Sequence, residues 1–318
     1  MPQRLQAFCE AWHREAGGAC TVVVARNGIV VFHAAFGDHA GQPATHDTAY
    51  PLFSLTKTVT GLMLSQFLDQ GLLELDAPLG RVLPDLPVEG SNVITLRKCM
   101  MHVTGLTGHG NWKGLDNPWL DNVIANGIAT VRPAYRYSGV AYDLAGMAMA
   151  LVAGKSVPRL FDEHLFEPLE MRNASITGLG TGADLRAVDL ARLGQVILNG
   201  GAYGNHTFFS PQTLEQFLPQ PYEVLFPGFA PKERDYGLGI RAASEPHPRA
   251  GTDGIAPDAV VLGPRTVGHG AFSGSIFRVD LDTNTIVAAG RFSSGENHGR
   301  YLRELLALVA DAVLLPPR

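Results

Sequence analysis

Strand-forming sequence lies at the two ends of this chain and helix-forming sequence lies between them. That order constrains the fold more than any other feature. Near the start, Cys20-Thr-Val-Val-Val-Ala-Arg26 and Ile29-Val-Val-Phe-His-Ala-Ala-Phe36 are rich in β-branched residues and meet at Asn27-Gly28. Asn-Gly between two such runs marks a β-hairpin, because both residues tolerate positive φ. Strand patterns return at 266–269, 274–279 and 285–291, with Asp282-Thr-Asn284 as a turn. The middle, from about residue 55 to residue 220, reads mostly helical with Gly- and Pro-rich connections. Its clear helices cover 54–70 (ended by Gly71), 142–153, and 188–198 before Gly200-Gly201. An amphipathic helix opens the chain over 2–16 through Leu5, Phe8 and Trp12. Another closes it over 300–315 through Leu302, Leu305, Leu306, Val309 and Val313.

The simplest assembly of this order is an α+β fold. One antiparallel sheet draws strands from both chain ends, terminal helices flank it, and a large helical lobe is inserted. The expected division is 1–55 plus 235–318 for the sheet lobe and 56–234 for the helical lobe, with a site expected in the cleft between lobes. No internal repeat is present.

Composition removes several function classes. The 318 residues are 46% hydrophobic and 17% charged with a net charge of −5, so there is core to bury and no basic footprint for nucleic acid. Cys9, Cys20 and Cys99 are too few for a disulfide framework and lack the spacing of a zinc or redox motif. The first residues carry no apolar signal-peptide core, and the most apolar stretch, 144–153, is shorter than the about 20 residues a membrane span needs. A soluble cytoplasmic protein is the expectation for the chain as written. A chain trimmed of an export signal reads the same, which leaves periplasm or secretion open.

Three segments carry chemical content. In Ser54-Leu-Thr-Lys57, residues three apart share a helix face, so the lysine can reach the serine hydroxyl. A serine attacks only when a base takes its proton, and burial together with the positive end of the helix dipole makes lysine a base. The plainer account is a capping serine and a surface lysine. Against it, a capping box wants Glu or Gln at that position, and the dipole disfavours a cation in the first turn by about 0.3–1 kcal/mol. In Tyr135-Arg-Tyr137-Ser-Gly-Val-Ala-Tyr142, a tyrosine at a helix entrance can shuttle a proton, or simply pack. In Gly268-His-Gly-Ala-Phe-Ser-Gly-Ser275, small residues before a strand let a substrate approach backbone N–H groups, or form a Gly-rich turn.

In this order the three segments resemble the β-lactamase-like serine hydrolases, more closely the class C β-lactamases and family VIII carboxylesterases, with penicillin-binding-protein-like enzymes beside them. Gln70-Gly-Leu-Leu-Glu-Leu-Asp-Ala-Pro-Leu79 is similar to the family's G-x-L-x-L-D-x-P run, and Met101-His-Val-Thr-Gly-Leu106 stands where it has H-T-S-G-L. Glu167-Pro-Leu-Glu-Met171 and Asp189-Leu-Ala-Arg-Leu-Gly194 also fit, so the likeness keeps order and spacing over nearly the whole chain. It implies Ser54 as acylated nucleophile, Lys57 as its first proton partner and Tyr137 as general base and acid. It further implies the backbone N–H groups of Ser54 and Phe272 as oxyanion hole, and His269 at the third-motif Lys or His. Gly139, Gly270 and Ala271 then fall at substrate-binding positions. Tyr135 competes for the motif tyrosine, but Tyr137 places Tyr142 and Gly146 in the family's register.

Two departures bear on substrate. The family's Tyr-x-Asn reads Tyr137-Ser-Gly139, which removes a side-chain amide, and Lys-Thr-Gly reads His269-Gly-Ala271, which replaces a fixed charge by a titratable one. Both suit a neutral ester better than a β-lactam or a D,D-peptide. The expected activity is therefore metal-free, cofactor-free hydrolysis of a small carboxylic ester through an acyl-enzyme. A β-lactamase, D,D-peptidase or D-amino-acid amidase, an acyltransferase and a non-catalytic binding module are the alternatives. The expected partner is a small-molecule ester or amide, with no nucleic acid and no membrane span.

Other motifs fail or stay secondary. No Gly-x-Ser-x-Gly is present, and Gly154-Lys-Ser156 lacks the P-loop glycine because Met149 occupies that position. His102, His109, His164, His206 and His298 have no metal-ligand spacing and are expected to be packed or at the surface. His109 edges a glycine-rich loop and is a candidate substrate contact. Trp112 and Trp119 line an acyl pocket or pack, and the Pro- and aromatic-rich segment 220–233 is a flap or a plain loop.

Overall fold

Both ends of the chain fold into one sheet. The computed structural model describes residues 2–106, 132–229, 235–252 and 254–314. Its longer elements are α1 (Pro2–Ala16), β1 (Cys20–Arg26), β2 (Ile29–Phe36), α2 (Thr56–Asp69), α3 (Val140–Ala153), α4 (Ala187–Leu198), α5 (Pro211–Phe217), β3 (Arg241–Ala242), β4 (Thr266–Gly270), β5 (Ile276–Asp280), β6 (Thr285–Arg291) and α6 (His298–Leu314). By its contacts the chain divides into two units. One is Met1–Leu52, Leu185–Asn199 and Ala242–Arg318; the other is Phe53–Asp184 and Gly200–Arg241.

The first unit holds a six-stranded sheet in the order β3-β4-β5-β6-β1-β2. The β1–β2 pair is antiparallel, and Asn27 (φ 51°) and Gly28 (φ 77°) close it in the left-handed conformation that the Asn-Gly pair announces. β1 also pairs with β6, Cys20 opposite Arg291 and Arg26 opposite Thr285, so the first and last long strands are neighbours. Alternation then decides the packing. Cys20, Val22 and Val24 of β1, Ile276 of β5 and Val287 and Ala289 of β6 share a core with Leu5, Cys9 and Trp12 of α1 and with Tyr301, Leu305, Leu306 and Val309 of α6. Each fully buried Leu or Val in it contributes about 1.5–3 kcal/mol.

α4 packs on β1, β5 and β6. The expected helical lobe of 56–234 included this helix; the contact division groups it with the sheet instead. Its buried Leu190, Leu193, Val196 and Ile197 need an apolar partner. With helices to cover, β1 and β6 are buried along almost their whole length, which is why they read as continuous apolar runs and not as alternating ones.

The second unit centres on α2. Every residue from Thr56 to Phe67 is buried, so this helix has no solvent stripe. Its hydroxyls are satisfied internally: Thr58 Oγ1 donates to Gly239 O at 2.6 Å, Thr60 Oγ1 to Leu179 O at 2.8 Å, and Ser65 Oγ to Gly61 O at 2.9 Å. α3 packs against α2 and ends at Gly154, whose φ of 63° terminates it in the usual left-handed way. Short strands also interrupt the expected run of helices, including Ser175–Ile176 paired with Ala183–Arg186. Among the described residues no single helix is long and apolar enough to cross a membrane.

Candidate active site

The second unit holds four of the sequence candidates within the described residues, Ser54, Lys57, Tyr137 and Gly139. Ser54 lies in a single 3-10 turn, Phe53–Leu55, that leads into α2. The residue in the capping position is Leu55, which makes no side-chain capping bond, so Ser54 is not the cap of the plainer account. Phe53 immediately before it has a φ of 43°, a conformation that costs a non-glycine residue about 1–3 kcal/mol and recurs at functional sites.

Lys57, in the first turn of α2, is only 1% exposed. Its Nζ donates to Gly180 O at 2.8 Å and stands 4.7 Å from the ring centroid of Tyr137 and 5.5 Å from that of Tyr142. Burial pulls its pKa from 10.5 down to about 7, with the Asp143 carboxylate pulling the other way. Asp143 lies in the first turn of α3, is 4% exposed, and accepts a hydrogen bond from Leu179 N at 3.0 Å. Desolvation pushes its carboxyl up to about 7, opposed by that hydrogen bond and by Lys57. A lysine near neutrality can hold or release a proton at ordinary pH, which general-base chemistry requires.

Tyr137 is 47% exposed and sits in the irregular stretch before α3. The residues on either side of it are both held by His102: Arg136 N donates to His102 O at 2.8 Å, and Ser138 N to His102 Nδ1 at 3.3 Å. The His102 ring packs on Tyr137, centroids 4.3 Å apart, and also on Tyr142 and Tyr236. His102 is thus a packed residue, as expected of it. Tyr142 OH donates to Met100 O at 2.6 Å and accepts from Tyr236. The rival tyrosine, Tyr135, stacks edge-on against Tyr222 at 6.0 Å. Gly139 lies under the backbone of Gly180.

His269, Gly270, Ala271 and Phe272 belong to the first unit. His269 is on β4, buried, with Nδ1 2.7 Å from Gly270 O and 3.0 Å from Gly270 N; its tautomer decides which of the two it bonds. Its own carbonyl accepts from the Arg278 guanidinium at 2.8 Å. Ala271 opens a tight turn in which Ala271 N donates to Ser275 O at 2.9 Å and Gly274 N to Ala271 O at 3.0 Å. The Phe272 side chain on that turn is 86% exposed. His109, Trp112 and Trp119 lie outside the described residues. In the segment expected to be a flap or a loop, Tyr222 is buried with Met101, Val103 and Tyr236, and its OH donates to Met101 O at 2.9 Å.

Comparison with known proteins matches nearly the whole chain to a family model. The profile described as Beta-lactamase covers residues 6–313. The chain belongs to the Beta-lactamase family. Over 166 residues it is 31% identical to Esterase/beta-lactamase LipL of Mycobacterium tuberculosis, covering 49% of this chain and 38% of that protein. Over 144 residues it is 30% identical to D-alanyl-D-alanine-carboxypeptidase/endopeptidase AmpH of Escherichia coli K12, covering 41% of this chain and 37% of that protein. The matches therefore span less than two fifths of either curated relative. Among solved structures, EstCE1, described as a hydrolase with promiscuous acyltransferase activity, superposes with a TM-score of 0.76 at 19% identity over 96% of this chain and 98% of the other. At that identity the likeness shows the fold: the family's antiparallel sheet with helices, as the strand and helix order predicts.

Two residues that sequence reasoning did not single out stand close to the candidates. Asp143 is the lone acid in the apolar run Val140–Ala153, a signal that was legible. Gly180 acts through its carbonyl, which no residue identity announces.

Proposed function

We propose that the chain is a serine hydrolase that cleaves small carboxylic esters through an acyl-enzyme on Ser54. The observation that carries this is Lys57: a lysine three residues after Ser54, 1% exposed and drawn down to about 7 by burial, beneath the ring of a half-exposed tyrosine. Ser54 Oγ attacks the ester carbonyl carbon while neutral Lys57 takes its proton. The tetrahedral oxyanion is held by backbone N–H groups, which the family resemblance assigns to Ser54 and Phe272. Collapse expels the alcohol, protonated through Lys57 and Tyr137, and leaves the acyl group on Ser54. Water then attacks that carbonyl, its proton passing through Tyr137 to neutral Lys57 or going to neutral His269, and the carboxylic acid departs as that proton returns to Ser54 Oγ. The Lys57 contact to Tyr137 favours Tyr137 over Tyr135 as the proton shuttle.

The ester preference rests on Gly139 and on His269-Gly-Ala271, where an amide side chain and a fixed cation are missing. The D-alanyl-D-alanine-carboxypeptidase named among the relatives motivates the second reading, peptide or β-lactam cleavage by the same serine. The deciding assay follows p-nitrophenyl butyrate, nitrocefin and a D-aminoacyl anilide with the wild type and Ser54→Ala, together with intact mass after an organophosphonate. The expected result is ester turnover and mass labelling that both vanish in Ser54→Ala. Equal turnover in the two proteins removes Ser54 from the mechanism, and preferred cleavage of nitrocefin or the anilide selects the second reading.

A further inference from the structure

One turn of the second unit is tied to α2, which carries Lys57, and to α3, which follows Tyr137. The turn spans 177–183. Leu179 O accepts from Thr60 Oγ1 at 2.8 Å, Gly180 O from Lys57 Nζ at 2.8 Å, and Ala183 N donates to Thr56 Oγ1 at 3.0 Å, all on α2. From α3, Asp143 Oδ1 accepts from Leu179 N at 3.0 Å. Leu179 is thus gripped through both backbone groups, one residue before the carbonyl that takes the Lys57 ammonium. The approach needs bare backbone, since a Cβ on Gly180 would lie 2.5 Å from Gly139 Cα. A Cβ at position 139 would lie 3.5 Å from Gly180 Cα, an ordinary contact, so the close approach requires glycine at 180 and not at 139.

A neutral acceptor would serve Leu179 N without the desolvation cost of a carboxylate. A buried carboxylate at that place needs a cation, and Lys57 is the cation that acts on it. We infer that Asp143 is the positioning residue of Lys57, clamping Leu179 so that Gly180 O fixes the Lys57 amine. The Asp143 charge also favours the ammonium form of that amine. This rests on the reading of Lys57 as the proton acceptor of Ser54.

The groups facing Lys57 are few among the described residues. α3 offers Asp143 and the Tyr142 ring, the stretch before it offers the Tyr137 ring, and the turn offers only the Gly180 carbonyl. His102 and Tyr236 stand one contact further out, against Tyr142. Removing the Asp143 charge takes away the one carboxylate that favours the ammonium, so Lys57 becomes neutral at lower pH. Asn at 143 keeps an oxygen for Leu179 N.

The test is the pH dependence of kcat/KM for p-nitrophenyl butyrate in the wild type, Asp143→Asn and Ser54→Ala. The acidic limb of Asp143→Asn is expected about one pH unit or more below that of the wild type. An unmoved limb, or one moved upward, with turnover still dependent on Ser54, overturns the role of Asp143 alone. Turnover independent of Ser54 overturns the underlying mechanism. Should Asp143→Asn fail to fold, Lys57→Met/Asp143→Asn is expected to fold, because no charge is then left buried without its partner. A double variant that also fails to fold shows Asp143 to be needed for reasons unrelated to Lys57 and overturns the inference.

Discussion

At the scale of the residue, Lys57 carries opposite consequences for stability and for chemistry. Its folded pKa of about 7 lies below its ordinary 10.5, so between these values the unfolded chain binds more protons and stability rises with pH. The cost of burying the ammonium is therefore complete below about pH 7 and is relieved above it. Lys57→Met, made together with Asp143→Asn so that no carboxylate is left without its cation, keeps a similar stem and removes that cost. We expect it to raise the urea midpoint at pH 6, to do so less at pH 9, and to lower ester turnover by about 100-fold or more, the span of one lost general base. A midpoint gain that does not shrink with pH would contradict the sign. Lys57→Arg is expected to be as inactive as Lys57→Met, since a guanidinium stays protonated and cannot accept the serine proton.

At the scale of the element, α2 shows how far burial overrides local preference. A glycine in mid-helix ordinarily costs about 1 kcal/mol against alanine, so Gly61→Ala would be stabilising in an exposed helix. Here a Cβ at 61 would fall 1.7 Å from Leu238 O, a backbone atom that cannot rotate away. We expect Gly61→Ala to lose about 2 kcal/mol or more, as overpacked cores do, and to lower the thermal midpoint. An increase would mean that the 236–239 stretch yields easily. The same helix explains what its sequence left unreadable. Its threonines and Lys57 look like a polar face, yet all are buried, because their partners Gly239 O, Leu179 O and Gly180 O come from segments more than a hundred residues away.

At the scale of the whole molecule, two histidines in the first unit set an acid limit. Burial lowers His33 to about 4, helped by the stacked His46, and lowers His298 to about 4, helped by Arg291. Folded values below the unfolded 6.5 mean that the unfolded chain takes up protons first as pH falls. The stability they hold is complete above about pH 6.5 and is lost progressively toward pH 4. We expect the wild-type urea midpoint to fall over that range more steeply than that of His33→Gln/His298→Gln. The comparison with the double variant cancels Asp143, whose raised pKa acts with the opposite sign between 3.8 and about 7. Parallel curves would remove the histidines from the acid limit.

The hairpin at Asn27-Gly28, the opening and closing helices, the three late strands and the helices over 142–153 and 188–198 were all legible, because each is announced by a period or a turn residue acting over a few positions. So was the Ser54-Leu-Thr-Lys57 spacing, although Ser54 lies in the 3-10 turn before α2 and only Lys57 in the helix. The sequence by itself thus determined the elements, their order and the candidates for chemistry. Tertiary structure decided that α4 covers the sheet, that α2 is buried all round, and that Lys57 sits near neutrality between Asp143, Tyr137 and the Gly180 carbonyl. Those facts depend on desolvation and on backbone atoms brought together from distant stretches of chain. Neither quantity is a property of any single residue, so no local pattern encodes it.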